Sequence, residues 1–185
     1  MVTIVLAHPW HGSFNKAILD TIANNLTDQD RAYQVIDLCK DGFNPVYTEK
    51  ELSFYSSGKN DDPLVDKYQE MLLKTDEIVF IYPIWWSDMP AILKGFFDKV
   101  FLKDFAFNYE NGWTPLLNIN KTTVVTTSEQ ETKSLETAGG NRTAHFVKEI
   151  LPSVGLKNGT WFNCEHVTHG SQENRVKFLE SLKSI

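Results

Sequence analysis

Val2-Thr-Ile-Val-Leu-Ala7 is β-branched and apolar with no polar alternation, the pattern of a strand covered on both faces. Phe14, Ile18, Ile22 and Leu26 follow at four-residue spacing, widened by Ala17, Leu19 and Ala23, and predict an amphipathic helix over 14–26. The chain thus opens on a central strand, a short loop and a helix. Apolar runs at 33–38 and 77–82 predict two more strands, with shorter helical candidates at 48–56 and 62–75 between them. From Phe80 to Phe101 the sequence passes from a buried strand through the aromatic turn Pro83-Ile84-Trp85-Trp86 into a helix. The buried face of that helix is Ile92, Leu93, Phe96, Phe97, Val100 and Phe101; Asp88 is placed to cap it, with Pro90 tolerated in its first turn. Residues 105–117 carry an Asn-Gly turn signal among aromatics and predict a surface hairpin. A strand at 122–127, a polar loop to about Gly140, a helix near 141–151, a strand near 160–167 and a helix near 171–183 complete the pattern.

Strands alternating with helices in this way imply an α/β fold with a mostly parallel, doubly wound sheet. At 185 residues and 42% hydrophobic content the chain is expected to form one domain, 1–185. A net charge of −6, with both signs mixed along the chain, argues against a nucleic-acid partner. An anionic ligand would then be held by local geometry and not by a basic cluster. Cys39 and Cys164 are too few for a disulfide framework and read as buried thiols in a reducing compartment. The apolar run Met1–Ala7 is too short for a signal peptide or a membrane span, so a cytoplasmic protein without membrane insertion is expected. Asn-x-Thr matches at Asn25, Asn120, Asn141 and Asn158 would matter only in a secreted chain. His145, His166 and His169 lack metal-ligand spacing and pair with no nucleophile, so no metal and no hydrolytic centre are expected.

The loop after the first strand, His8-Pro-Trp-His-Gly-Ser-Phe-Asn15, precedes a helix, so main-chain N–H groups and the helix dipole can face a phosphate. Gly12 permits close backbone approach, and Ser13 and Asn15 offer hydrogen bonds; either of them serves equally as an ordinary helix cap. Neither Gly-x-x-x-x-Gly-Lys nor Gly-x-Gly-x-x-Gly is present, which excludes the usual NTPase and dinucleotide loops here. Ile84, Trp85 and Trp86 at a strand end would suit a flat heterocycle or would simply close the core. His11 reads as a ligand contact or a surface residue.

Together, Ala-His-Pro followed by Ser-Phe-Asn, and Pro-Ile-Trp-Trp leading into Met-Pro-Ala-Ile-Leu-Lys-Gly-Phe-Phe-Asp-Lys-Val-Phe, resemble the flavodoxin-like NAD(P)H:quinone oxidoreductases and their short bacterial relatives. The resemblance spans most of the chain and weakens after residue 127. It implies a flavodoxin-like five-stranded sheet of order 2-1-3-4-5, with FMN, or FAD, as cofactor. It also implies two-electron reduction of quinones or other flat acceptors by NADH or NADPH in a ping-pong cycle, the flavin itself carrying the hydride. The family's phosphate loop maps onto His8, Gly12, Ser13, Phe14 and Asn15, and its ring-cradling turn onto Pro83, Ile84, Trp85 and Trp86. The strand end after 122–127 maps onto Thr126, Thr127 and Ser128. There the family has Thr-Thr-Gly-Gly and this chain Thr-Thr-Ser-Glu, so Glu129 brings a carboxylate that bears on the cofactor only if it points inward. The short length favours FMN over FAD. The resemblance further implies a homodimer built with the 48–75 and 105–117 excursions. The alternative it carries is a cytoplasmic ancillary subunit of a potassium efflux system.

Overall fold

The computed structural model describes residues 1–137 and 142–185. β1 (Val2–Leu6) pairs in parallel with β2 (Tyr33–Asp37) on one side and β3 (Glu77–Pro83) on the other. β6 (Lys121–Thr127) joins β3 and β7 (Gly159–Cys164) joins β6, again in parallel, giving the order β2-β1-β3-β6-β7. These five main strands in chain order are the expected 2-1-3-4-5. Between β1 and β3 the chain reverses its direction of travel across the sheet. Such a switch point leaves a crevice beyond the C-terminal strand ends, where open α/β sheets take their ligands.

Alternation along the central strands explains why they lack polar positions. Ile4 and Leu6 pack toward α1 (Phe14–Asp28), with Ile18, Ile22 and Leu26, while Val5 and Ala7 face the opposite layer with Phe80, Tyr82 and Phe96. Each such aliphatic side chain contributes about 1.5–3 kcal/mol by leaving water. The opposite layer holds α2 (Glu49–Phe54), α3 (Pro63–Leu73) and α4 (Ala91–Val100), on which Phe96 and Val100 are fully buried. Lys99 on α4 is also buried. Its Nζ meets Glu51 Oε1 at 2.6 Å, Asp62 Oδ2 at 3.2 Å and the Asn44 carbonyl at 3.0 Å, so one cation gathers three separate points of the 44–62 excursion.

The 105–117 hairpin is a small antiparallel ribbon of β4 (Phe107–Asn108) and β5 (Thr114–Pro115), with Phe107 stacked on Trp113. Three expectations need correction. The polar 128–140 stretch contains a short helix, α5 (Thr132–Thr137), because Glu165 accepts the Thr132 amide and supplies its N-terminal partner. The helix expected near 141–151 runs without a gap from Arg142 to Ser153 but is not uniform: α6 (Arg142–His145) passes through a π-helical turn (Phe146–Ile150) into α7 (Leu151–Ser153), where Pro152 has no amide to donate to the preceding turn; Gly140 and Asn141 lie outside the described residues. The last strand stops at Cys164, since the chain turns back with His166 at φ +50 before α8 (Gln172–Ser181). Both cysteines are free, but only Cys164 is buried; Cys39 is half-buried. Burial pushes the Cys164 thiol up to about 11, and burial followed by the Asp37 carboxylate raises that of Cys39. No described helix is long and apolar enough to cross a membrane.

Candidate functional site

A cavity of about 750 Å³ opens at the switch point. Its floor is the first loop and the start of α1, through His8, Trp10, Gly12, Ser13, Phe14, Asn15 and Ala17. Pro83, Ile84 and Trp85 form one side and Thr127, Ser128 and Glu129 another, while Val167, Thr168 and Arg175 arrive from the β7–α8 connection. The structure therefore brings together ten of the twelve positions mapped from sequence. Thr126 and Trp86 do not line the cavity. Thr126 follows strand alternation to the far side of β6, where its hydroxyl donates to Asn163 Oδ1 and accepts from Trp161 Nε1. Trp86 projects into solvent, 99% exposed.

Ser13 is the N-cap of α1: extended at φ −80 and ψ 160, it accepts the Lys16 amide on Oγ at 3.2 Å. The remaining first-turn amides have no partner within the helix and form the positive end of its dipole at the cavity floor. Gly12 leaves room for the exposed Trp10 side chain, which would have to shift for any larger residue. A Cβ there would lie 2.4 Å from the Trp10 indole, which folds over it. Asn15, 3% exposed, donates Nδ2 to Thr127 Oγ1 at 2.9 Å and so ties the loop to the end of β6. Its Oδ1 has no donor among the described residues, an acceptor that a hydroxyl-bearing ligand is suited to meet. His8 Nδ1 lies 3.1 Å from the Trp10 amide nitrogen and 3.2 Å from the Trp10 carbonyl oxygen, with its ring 5.9 Å from that of Trp85. Burial lowers the His8 pKa against the opposing pull of its Trp10 backbone bond. His11 takes no part in the lining; its Nε2 meets Asp37 Oδ2 at 2.7 Å.

Ile84 donates its amide to the Thr127 carbonyl, and Trp85 and Asp88 then exchange both backbone hydrogen bonds around Trp86 and Ser87. The two middle residues have φ +51 and +62, type I′ geometry that ordinarily favours Asn-Gly. This turn aims Trp85 at the cavity and Trp86 away from it. Asp88 does not cap α4, whose N-cap is Pro90; its Oδ1 accepts the Met89 amide and its Oδ2 pairs with Arg142 at 2.9 Å. Left-handed backbone costs an L-residue about 1–2 kcal/mol, of which glycine's greater freedom in the unfolded chain takes back about 0.5–1. Ser87→Gly is therefore expected to raise the melting temperature by about 2–4 °C, measured by calorimetry.

The β6 exit is tightly held. Ser128 donates its amide to the Cys164 carbonyl and its hydroxyl to the Gln130 carbonyl, and its carbonyl accepts the Val167 amide. Glu129 Oε1 accepts the Thr168 amide at 2.8 Å and hydroxyl at 2.6 Å. Burial acts against this charge, but those two bonds and the His169 amide outweigh it and hold the carboxyl below its ordinary pKa.

Arg175 is the residue that sequence reasoning missed. Half-buried on α8, it donates Nη1 to the Val167 and Gly170 carbonyls, and Nε and Nη2 to Gln172 Oε1. Four of the five N–H groups of the guanidinium are thus used in placing the charge at the cavity wall. No spacing in the sequence links position 175 to position 13. Packing of Phe178 against Phe14, one turn further along α8, brings them together.

A family model described as "Flavodoxin-like fold" matches residues 1–184. The chain is 28% identical over 186 residues to the uncharacterized NAD(P)H oxidoreductase YcaK of Escherichia coli, covering 99% of this chain and 93% of that one. It is 29% identical to NAD(P)H dehydrogenase [quinone] 1 of Rattus norvegicus over 125 residues, 57% of this chain and 44% of the rat protein. Among solved structures, NAD(P)H:quinone oxidoreductase from Methanothermobacter marburgensis superimposes with a TM-score of 0.87 at 28% identity, over 99% of this chain and 95% of that one. The chain belongs to the flavodoxin-like family, among its NAD(P)H:quinone oxidoreductase-like members, and is an oxidoreductase.

Proposed function

We propose that the protein is an FMN-dependent NAD(P)H oxidoreductase that reduces quinones or similarly flat acceptors. The observation that carries this reading is the composition of one cavity, anion-holding at one end and apolar and aromatic at the other. The first turn of α1, capped by Ser13 and backed by Arg175, suits a phosphate; Asn15 is available to a ribityl hydroxyl. Pro83, Ile84 and Trp85 suit the face and edge of a ring system, with the His8 imidazole beside them. A flavin held by these residues would supply two-electron hydride chemistry between NAD(P)H and a flat acceptor, in a ping-pong cycle. Trp85, about half exposed, offers an aromatic wall to donor and acceptor in turn, and the buried Ser128 lines the opposite side with the exposed Glu129 beside it.

The whole chain acts as one flavodoxin-like unit in the cytoplasm, and we assign it a homodimer. A second groove, about 810 Å³, lies between α4, the β4–β5 ribbon and the 142–154 segment. Phe97, Phe101, Phe107, Trp113, Phe146 and Val154 wall it, and its rim carries the pairs Lys94–Asp98 and Arg142–Asp88. Alternating signs around an apolar centre suit a twofold copy of the same surface. The 105–117 excursion contributes Phe107 and Trp113 as expected, whereas the 48–75 excursion contributes Tyr55.

Purified protein is expected to show flavin absorbance that releases FMN on denaturation, to oxidise NAD(P)H only when a benzoquinone is present, and to sediment at twice 21.2 kDa. A colourless protein that binds no added flavin overturns the enzyme reading. Negligible turnover with recovery in a membrane fraction does so as well.

A further inference from the structure

The cavity wall contains two places built to receive an anion, and the chain fills one of them itself. The first is the start of α1, where the amides beyond Ser13 face the cavity next to Arg175. The second is the turn at Thr168, whose amide and hydroxyl both converge on a single carboxylate oxygen, that of Glu129. Glu129 comes from the opposite connection, after β6, so the contact spans the two loops that form this wall. Further bonds fix both sides: Val167 amide to Ser128 carbonyl, Asn163 Nδ2 to Ser128 Oγ at 3.0 Å, and Arg175 Nη1 to the carbonyls of Val167 and Gly170. The carboxylate cannot leave without freeing both Thr168 donors.

We infer that Glu129 is a specificity-determining residue that restricts this cavity to a flavin monophosphate by occupying the position and cancelling the charge that a second phosphate would need. This rests on the flavin reading above. A single phosphate at α1 meets the helix N-terminus and Arg175 unopposed. A diphosphate or dinucleotide extending along the same wall meets a fixed negative charge where the neighbouring cradle is already taken, and Glu129, although exposed and so partly screened by solvent, repels a second like charge brought against it.

The test is a titration of flavin-free protein with FMN and with FAD, read by quenching of flavin fluorescence, on the wild type and on Glu129→Gln. Glutamine keeps an oxygen for Thr168 and removes only the charge. The wild type is expected to bind FMN at least about tenfold more tightly than FAD, and the variant to narrow that ratio about tenfold while its FMN affinity changes less than about threefold. Raising the salt to about 1 M, where screening acts within about 3 Å, is expected to narrow the ratio in the wild type and not in the variant. An FMN to FAD ratio that is the same before and after substitution overturns the role of Glu129 and leaves the flavin reading standing. Failure of the wild type to bind either flavin overturns both.

Discussion

Ser13→Asp is expected to abolish binding of the proposed flavin without unfolding the protein. Aspartate is as good an N-cap as serine, so the bond from the Lys16 amide survives and α1 keeps its start. The new carboxylate, however, lies on the cavity floor among the amides assigned to the phosphate. Two unit charges about 4 Å apart repel by about 4 kcal/mol at an effective dielectric of about 20, and nearby Arg175 offsets part of this. A loss of about 2–3 kcal/mol remains, a fall of about 30–200-fold in FMN affinity by fluorescence titration, while the melting temperature of the flavin-free protein moves by less than about 2 °C. Ser13→Asn, a neutral cap of similar size, should retain the cofactor. An aspartate variant that keeps its full yellow colour would show that the phosphate is not held at the start of α1.

The largest effect on stability is expected at Lys99, far from the cavity. Its ammonium is 2% exposed and balances Glu51 and Asp62; Lys99→Ala strands two carboxylates, of which Glu51 is buried. Breaking a buried ion pair by removing one member costs about 3–5 kcal/mol, which for a chain of this size lowers the melting temperature by about 10 °C. Acid should reveal the same interaction. Burial alone would raise the Glu51 pKa, but the bonds from Lys99 and Thr48 lower it below its ordinary 4.5. A group whose pKa is depressed on folding contributes stability that is complete above the unfolded value and is lost as pH falls through the folded one. The difference in unfolding free energy between wild type and Lys99→Ala is therefore expected to be largest near pH 7 and to shrink as the pH falls and Glu51 takes up its proton. Chemical denaturation across pH 3–7 measures it, and an equal difference at every pH would mean that packing of the lysine stem accounts for the loss.

Local pattern carried much further for some elements than for others. The runs at Val2, Tyr33, Glu77 and Lys121 and the four-residue spacing from Phe14 to Leu26 could be read within windows of a few residues, because a strand or helix face is defined by its own period. Both ends of the cavity were visible for the same reason. His8–Asn15 and Pro83–Trp85 are each continuous in the chain and each directly follow a strand. Asp88 was misassigned because a cap and the last residue of a hairpin turn have the same sequence signature; only the backbone bonds to Trp85 separate them. Trp86 was misplaced because adjacent tryptophans give no indication that a left-handed turn sends them in opposite directions. Gly12 shows the converse: its presence was legible, but the reason for it, the Trp10 ring above it, was not.

The sequence by itself determined the succession of strands and helices and the parallel sheet they must form, since these follow from short-range periodicity and chain connectivity, whereas the strand order and the pairing of the two turns in one site came from the family resemblance. Tertiary structure alone decided that Arg175 stands beside the first loop, that Glu129 is captured by Thr168, and that Lys99 is sealed among carboxylates. Those contacts join residues tens to more than a hundred positions apart. Their energies depend on distance, burial and the geometry of donors, quantities that exist only once the chain has folded.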